Sequence, residues 1–143
     1  MLDRISIGLM GLGVVGVGVT NAIEAKAQTI ENQVGCPVLV SRALVQDTHA
    51  VRVDLRTPID LTTDPDVLLN DPDILIVVEL MGGEQPALEY IKRAIASGKH
   101  VVTANKELLA KHGPELFAAA AQNGVMVRFE ASVGGGIPII APL

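Results

Sequence analysis

Residues 5–16 read ISIGLMGLGVVG: a short apolar run, Ile5 to Met10, ends in Gly11-Leu12-Gly13-Val14-Val15-Gly16. Val15, Val19, Ala22, Ile23 and Ile30 then recur at helical spacing to about Gln33, so the stretch reads as strand, tight turn and one long helix. The glycines match the G-x-G-x-x-G pattern at the place where the physics requires it, between a first strand and a first helix. Gly11 permits the sharp turn, Gly13 lets main chain approach a diphosphate without a Cβ, and Gly16 allows close packing of helix on strand. The helix then offers unpaired amides and a partial positive charge to the phosphates. No Gly-Lys-Ser or Gly-Lys-Thr is present, which disfavours an ATP-hydrolysing phosphate loop.

The remainder of the chain repeats the same alternation. Gly35 and Pro37 end the first helix, and Val38 to Val45 forms a second strand. Between Gln46 and Leu61 the pattern is weak, with Arg52 to Asp54 and Ile59 to Leu61 as short edge pieces. Asp64 before Pro65 caps a short helix, Asp66 to Asn70, followed by a turn at Asp71-Pro72-Asp73. Ile74 to Leu80 (ILIVVEL) lacks a polar residue until Glu79, as a strand buried on both faces at the sheet centre requires. Pro86 opens a helix with Leu88, Ile91 and Ile95 on one face, stopped at Gly98 before the strand His100 to Thr103. Glu107 to Asn123 is a further helix, broken near Gly113 and Pro114, and Gly124 precedes a strand from Val125 to Phe129. This alternation selects an α/β fold: a Rossmann-like, doubly wound parallel sheet in three layers.

Composition agrees. Of 143 residues, 49% are hydrophobic but only 2% aromatic, so Val, Ile, Leu and Ala must build the core. A net charge of -5 without a Lys or Arg cluster argues against nucleic acid and anionic membrane as partners and favours a small-molecule ligand. The single Cys36 and the scattered His49, His100 and His112 give no zinc spacing. Five glycines within the apolar stretch Ile5 to Thr20, and the lack of a basic leader, argue against a signal peptide or membrane span; a cytoplasmic protein is expected.

A ribose-binding acid is expected about 20 residues beyond the glycine turn. The long first helix delays the second strand, so Gln46 and Asp47 are the candidates. A neutral Gln46 and a repulsive Asp47 favour NAD over NADP, unless Arg42 or Arg52 supplies a charge for a 2'-phosphate. Thr103, Asn105 and Lys106 follow a strand at the carboxyl edge of the sheet, where open α/β folds bind ligands, and a Lys there can polarise a carbonyl as it accepts hydride. Met81 and Gly82 leave another strand at that edge and are candidates for the nicotinamide end. Ser132 lacks a nucleophile elbow, which argues against a hydrolase.

GLGVVG at 11–16, TANKELLA at 103–110, EASVGGGIPII at 130–140 and VVELMGG at 77–83 together resemble homoserine dehydrogenase over essentially the whole chain. The resemblance implies an oxidoreductase that reduces aspartate semialdehyde to homoserine with NADH or NADPH, in threonine, methionine and isoleucine biosynthesis. It implies cofactor contacts at Gly11, Leu12, Gly13, Val14, Val15, Gly16, Gln46, Met81, Gly82, Thr103 and Lys106, with Lys106 also mechanistically important. It further implies a sodium ion held by main-chain carbonyls of Glu130, Val133, Gly135 and Ile137. The domain expectation is a cofactor-binding unit at 1–130, with 131–143 opening a connection to a substrate and dimerisation domain not present here. The family's substrate acid and proton-donating lysine would lie there, so the chain by itself is expected to bind cofactor without useful turnover, the full-length protein forming a homodimer or larger. The alternatives are the cofactor half of another two-domain amino-acid or semialdehyde dehydrogenase, and a non-enzymatic dinucleotide-binding module.

Overall fold

The computed structural model describes residues 2–50 and 54–134. In chain order the elements are β1 (Ile5–Met10), α1 (Val14–Ala25), α2 (Ala27–Val34), β2 (Val38–Leu44), β3 (Asp60–Thr62) and α3 (Pro65–Leu69). Then follow β4 (Ile74–Glu79), α4 (Ala87–Ala96), β5 (His100–Thr103), α5 (Lys106–Gln122), β6 (Val127–Arg128) and a single 3-10 turn, Glu130–Ser132. All five strand pairings are parallel, and the order across the sheet is β3-β2-β1-β4-β5-β6. The expected Rossmann-like doubly wound sheet is thus what the chain builds. Its order reverses between β1 and β4, and a crevice opens there at the carboxyl ends of the strands.

Two apolar clusters sandwich the sheet. On one face Leu68, Leu69, Leu88, Ile91, Ile95, Leu108 and Leu116 bring α3, α4 and α5 onto Met10, Ile74, Val77 and Val101. On the other, α1 lays Val17, Val19 and Ile23 against Ile7, Leu9, Val40 and Ala43. The helical spacing of Leu88, Ile91 and Ile95 predicts their shared face, and all three are buried. Each such side chain contributes about 1.5–3 kcal/mol on leaving water.

Four local expectations change. The single long first helix is two, divided at Lys26 (φ -109°, ψ 13°). Here α1 buries Gly16 and Thr20 whereas α2 buries none of its residues, so packing does not hold the two on one axis. Conversely, α5 runs unbroken through Pro114, because Leu108 and Leu116 on either side of it are both fully buried in the same core. The last strand contracts from Val125–Phe129 to Val127–Arg128. And β4, although central and buried on opposite faces at Val77 and Val78, leaves Leu75 and Ile76 only half-buried. Of the two edge pieces, Ile59–Leu61 is realised as β3, while the other falls largely on residues 51–53, outside those described. The cap at Asp64 forms as expected: its carboxylate accepts the Asp66 N–H at 2.9 Å, ahead of Pro65.

Candidate dinucleotide site

Gly11 leaves β1 with φ +100°, in the left-handed region that glycine alone enters cheaply. A Cβ there would also stand 3.0 Å from the Leu80 carbonyl oxygen. The turn is therefore tied to the neighbouring strand end by close approach. Gly16 serves a purpose different from the one expected: its Cβ would meet the Gly11 carbonyl oxygen at 2.5 Å, so it is the turn itself, rather than the strand, that demands a glycine. Gly13, by contrast, has open space where a Cβ would point. It is the N-cap of α1, without a side-chain cap, and the first helical bond runs from the Val17 N–H to the Gly13 carbonyl at 2.9 Å. The amides of Val14, Val15 and Gly16 thus open the helix without partners four residues back, beneath a vacant space shaped by a missing side chain. Val14 and Val15 are 93% and 59% exposed.

Two hollows flank this turn. The larger, of about 780 Å³, is lined by Gly11, Leu12, Gly13, Gln46, Asp47 and Met81, together with Thr63, Pro86 and Tyr90, which the sequence did not single out as site residues. The smaller, about 150 Å³, lies between Val15, Glu79, Leu80, Gly82, Ala104 and Asn105. Gly82 borders both; Met81 stands with Gln46 and Asp47 in the larger one. Gln46 and Asp47 are exposed, and the Asp47 carboxylate accepts the His49 N–H at 2.8 Å. Arg42 is turned elsewhere: its guanidinium pairs with Asp71, donates to the Val67 carbonyl at 3.1 Å and lies 3.7 Å from Asp60. Arg52 lies outside the described residues.

Behind the smaller hollow sits a buried polar chain. Glu79 ends β4 with no exposed surface, and one carboxylate oxygen accepts the Thr103 hydroxyl at 2.7 Å. The other accepts the amides of Met81 at 2.8 Å and Gly82 at 3.3 Å. Thr103, equally buried, accepts the Asn105 N–H at 3.0 Å. Asn105 donates its amide to the Gly83 carbonyl at 2.6 Å and caps α5 by accepting the Leu108 N–H at 3.1 Å. Lys106 follows as the first residue of α5, exposed, and lines neither hollow. Thr103 therefore meets Glu79 with its hydroxyl, and its side chain has no free surface to offer a ligand.

The proposed ion loop is only partly described. Glu130 and Val133 belong to the 3-10 turn and its end, where the Glu130 carbonyl already accepts the Val133 N–H at 3.2 Å. Gly135 and Ile137 lie outside the described residues, so only half of the four-carbonyl set falls within them. Among the described residues no group of three or more His, Cys, Asp or Glu is placed to hold a metal.

A parallel sheet in this order, with a glycine turn and helix amides at the point where the order reverses, defines a dinucleotide-binding domain of the Rossmann class. Residues 11–130 match the family model for the NAD binding domain of homoserine dehydrogenase, and the chain belongs to that family. The homoserine dehydrogenase of Bacillus subtilis is 46% identical over 99% of this chain, and that match covers 33% of the relative. A crystal structure of a homoserine dehydrogenase from Thiobacillus denitrificans superposes with a TM-score of 0.90 at 50% identity, covering 96% of this chain and 32% of that one. A hyperthermophilic archaeal homoserine dehydrogenase in complex with NADPH shares the fold, with a TM-score of 0.76 at 24% identity over 96% of this chain and 47% of its own. The chain thus spans about a third of the length of the curated relatives it matches. No helix among the described residues is long and apolar enough to cross a membrane.

Proposed function

We propose that this chain is the cofactor-binding part of an enzyme that transfers hydride between a nicotinamide dinucleotide and the aspartate semialdehyde/homoserine pair. The observation that carries the reading is the open space at Gly13 beneath unpaired α1 amides, flanked by one large and one small hollow. A diphosphate would rest on Gly11, Leu12, Gly13, Val14, Val15 and Gly16; adenosine would fill the larger hollow, its ribose against Gln46 and Met81. The nicotinamide, which supplies or accepts the hydride, would sit in the smaller hollow at Val15 and Gly82, with Thr103 supporting the wall from behind. Lys106 fits a charge-stabilising part. A cation on the first turn of a helix opposes the helix dipole, at about 0.3–1 kcal/mol, and its ammonium would repay this by facing a developing alkoxide or a phosphate.

The remaining parts of the reading concern the whole enzyme. Residues 1–130 form the cofactor domain and 131–143 begin a connection; the substrate acid and the proton donor come from outside these 143 residues. The full-length protein works as a homodimer or larger assembly in the cytoplasm. Since Arg42 is committed to Asp71, and Asp47 would repel a 2'-phosphate, NAD is favoured over NADP.

The test is a titration of the chain with NADH and NADPH, followed by cofactor fluorescence, in a protein with no Trp to interfere. Saturable binding is expected, tighter for NADH, with no sustained turnover when aspartate semialdehyde is added. Failure to bind either cofactor overturns the cofactor reading; turnover at ordinary dehydrogenase rates overturns the division of the active site.

A further inference from the structure

Glu79 is a charged residue at the end of a central strand, without exposed surface, and its two oxygens serve different loops. One holds Met81 and Gly82, the turn that walls both hollows; the other, through the Thr103 hydroxyl and the Asn105 amide, holds the segment that leads to Lys106. We propose that Glu79 is a positioning residue that fixes the nicotinamide end of the site by latching the loop after β4 to the loop after β5. The inference rests on the dinucleotide reading above.

The chemistry of the donors explains why a carboxylate is required. Two main-chain amides and one hydroxyl all donate into it, and a carboxylate accepts at both oxygens without a hydrogen of its own to place. In glutamine one of those positions becomes an NH2. Turned towards Met81 and Gly82, it would set donor against donor. Turned towards Thr103, it would compete with the Asn105 N–H for the hydroxyl oxygen and leave the hydroxyl hydrogen without an acceptor in a buried site. Aspartate keeps the charge but is one methylene shorter, and cannot span from the Met81 amide to Thr103 without moving one loop. The adenosine side depends less on the latch: Glu79 holds Met81 there, but Gln46, Thr63 and Tyr90 belong to other segments.

The discriminating probe is a pair of ligands, NADH and ADP-ribose, which share adenosine and diphosphate and differ by the nicotinamide. Calorimetry on the 143-residue chain should show Glu79→Gln weakening NADH about tenfold, while ADP-ribose changes about threefold or less. Thr103→Val, which removes the hydroxyl that donates to Glu79 and accepts the Asn105 N–H, should weaken NADH in the same selective way, and Thr103→Ser should restore it. Leu116→Ala, a core truncation in α5 remote from the latch, should lower Tm and leave the ratio of the two affinities at its wild-type value. Equal losses for NADH and ADP-ribose in Glu79→Gln, or no loss for NADH in a folded Glu79→Gln or Thr103→Val, overturn the proposal. If the wild-type chain binds neither ligand, the dinucleotide reading itself fails, and the two failures are thereby told apart.

Discussion

Lys99 and Glu79 are both buried charges, set at opposite ends of paired neighbouring strands, and they are used in opposite ways. Lys99 precedes β5 at the amino end of the sheet, 4% exposed, and donates to the carbonyls of Asp71 at 2.6 Å and Ile74 at 2.8 Å. Burial pushes its ammonium pKa down while the charge of Asp71 pulls it back up. It closes the loop between α3 and β4 onto the sheet, and its donors are spent inside the protein. Glu79 ends β4 at the carboxyl end, and the amides it gathers belong to a loop whose outer side faces two hollows. In a parallel sheet the amino end can be sealed for stability, while the carboxyl end must stay open where strand order reverses. The same economy of buried charge thus holds the fold at one end and shapes a site at the other.

The comparison breaks most easily at the glycine turn. Gly16→Ala puts a methyl 2.5 Å from the Gly11 carbonyl oxygen, so the turn must open. The expected results are a loss of about 1–3 kcal/mol in chemical denaturation and no measurable NADH binding. Gly13→Ala is the counterpart: the methyl meets nothing, and φ of -83° is open to any residue. Stability should stay within about 0.5 kcal/mol of wild type, while NADH affinity falls about tenfold or more because the methyl occupies the diphosphate's place. If Gly13→Ala binds NADH as wild type does, the carboxyl end is not the open, ligand-facing end that the comparison requires.

At the amino end the expected pattern is reversed. Lys99→Met keeps the side chain up to the position of Cε but removes the ammonium and leaves the Asp71 and Ile74 carbonyls without their donor, at a cost of about 1–3 kcal/mol in stability. NADH affinity should remain within about twofold of wild type, since Lys99 lines neither hollow. A loss of affinity larger than the loss of stability explains would show that the two ends are coupled.

The fold was almost wholly legible because its signals are local. Strand and helix periods differ, the cap at Asp64 is a short side chain ahead of Pro65, and the glycine turn stands between β1 and α1. Where reading failed, the deciding interaction was distant in sequence. The helix break at Lys26 goes with α1 burying Gly16 and Thr20 while α2 buries none of its residues, and Pro114 fails to break α5 because Leu108 and Leu116 are gripped by other elements. The site follows the same rule. Gly11, Gly13 and Gly16 announce themselves by spacing, and Lys106 by its neighbours, whereas Thr63, Pro86 and Tyr90 reach the larger hollow only through the topology. Glu79 offered one usable signal, a carboxylate within an otherwise apolar central strand, since a buried charge must find partners. Its side-chain partner Thr103 lies 24 residues further on, with Asn105 bonded to Thr103 in turn, and no spacing rule connects them to it.

The smallest expected effect sharpens where the binding end stops. Glu84 follows the latched loop and is anchored outward: its carboxylate accepts from Lys111 at 2.7 Å and lies 2.9 Å from a ring nitrogen of His112. Those hydrogen bonds, from Lys111 first and then His112, hold its pKa below the ordinary value of 4.5. A carboxyl group with a lowered folded pKa stabilises the native state above its unfolded pKa, and this contribution is lost as pH falls through the folded value. Glu84→Gln should therefore lower Tm by only about 1–3 °C at neutral pH, because the pair is solvent-screened. The gap from wild type should narrow as the pH is taken below 4.5, which thermal melts across an acid series would check. NADH affinity should be unaffected at neutral pH, placing Glu84 with the supporting structure. If affinity instead falls more than about threefold, the outer anchor belongs to the site, and the contrast between the two ends of the sheet extends beyond its buried charges.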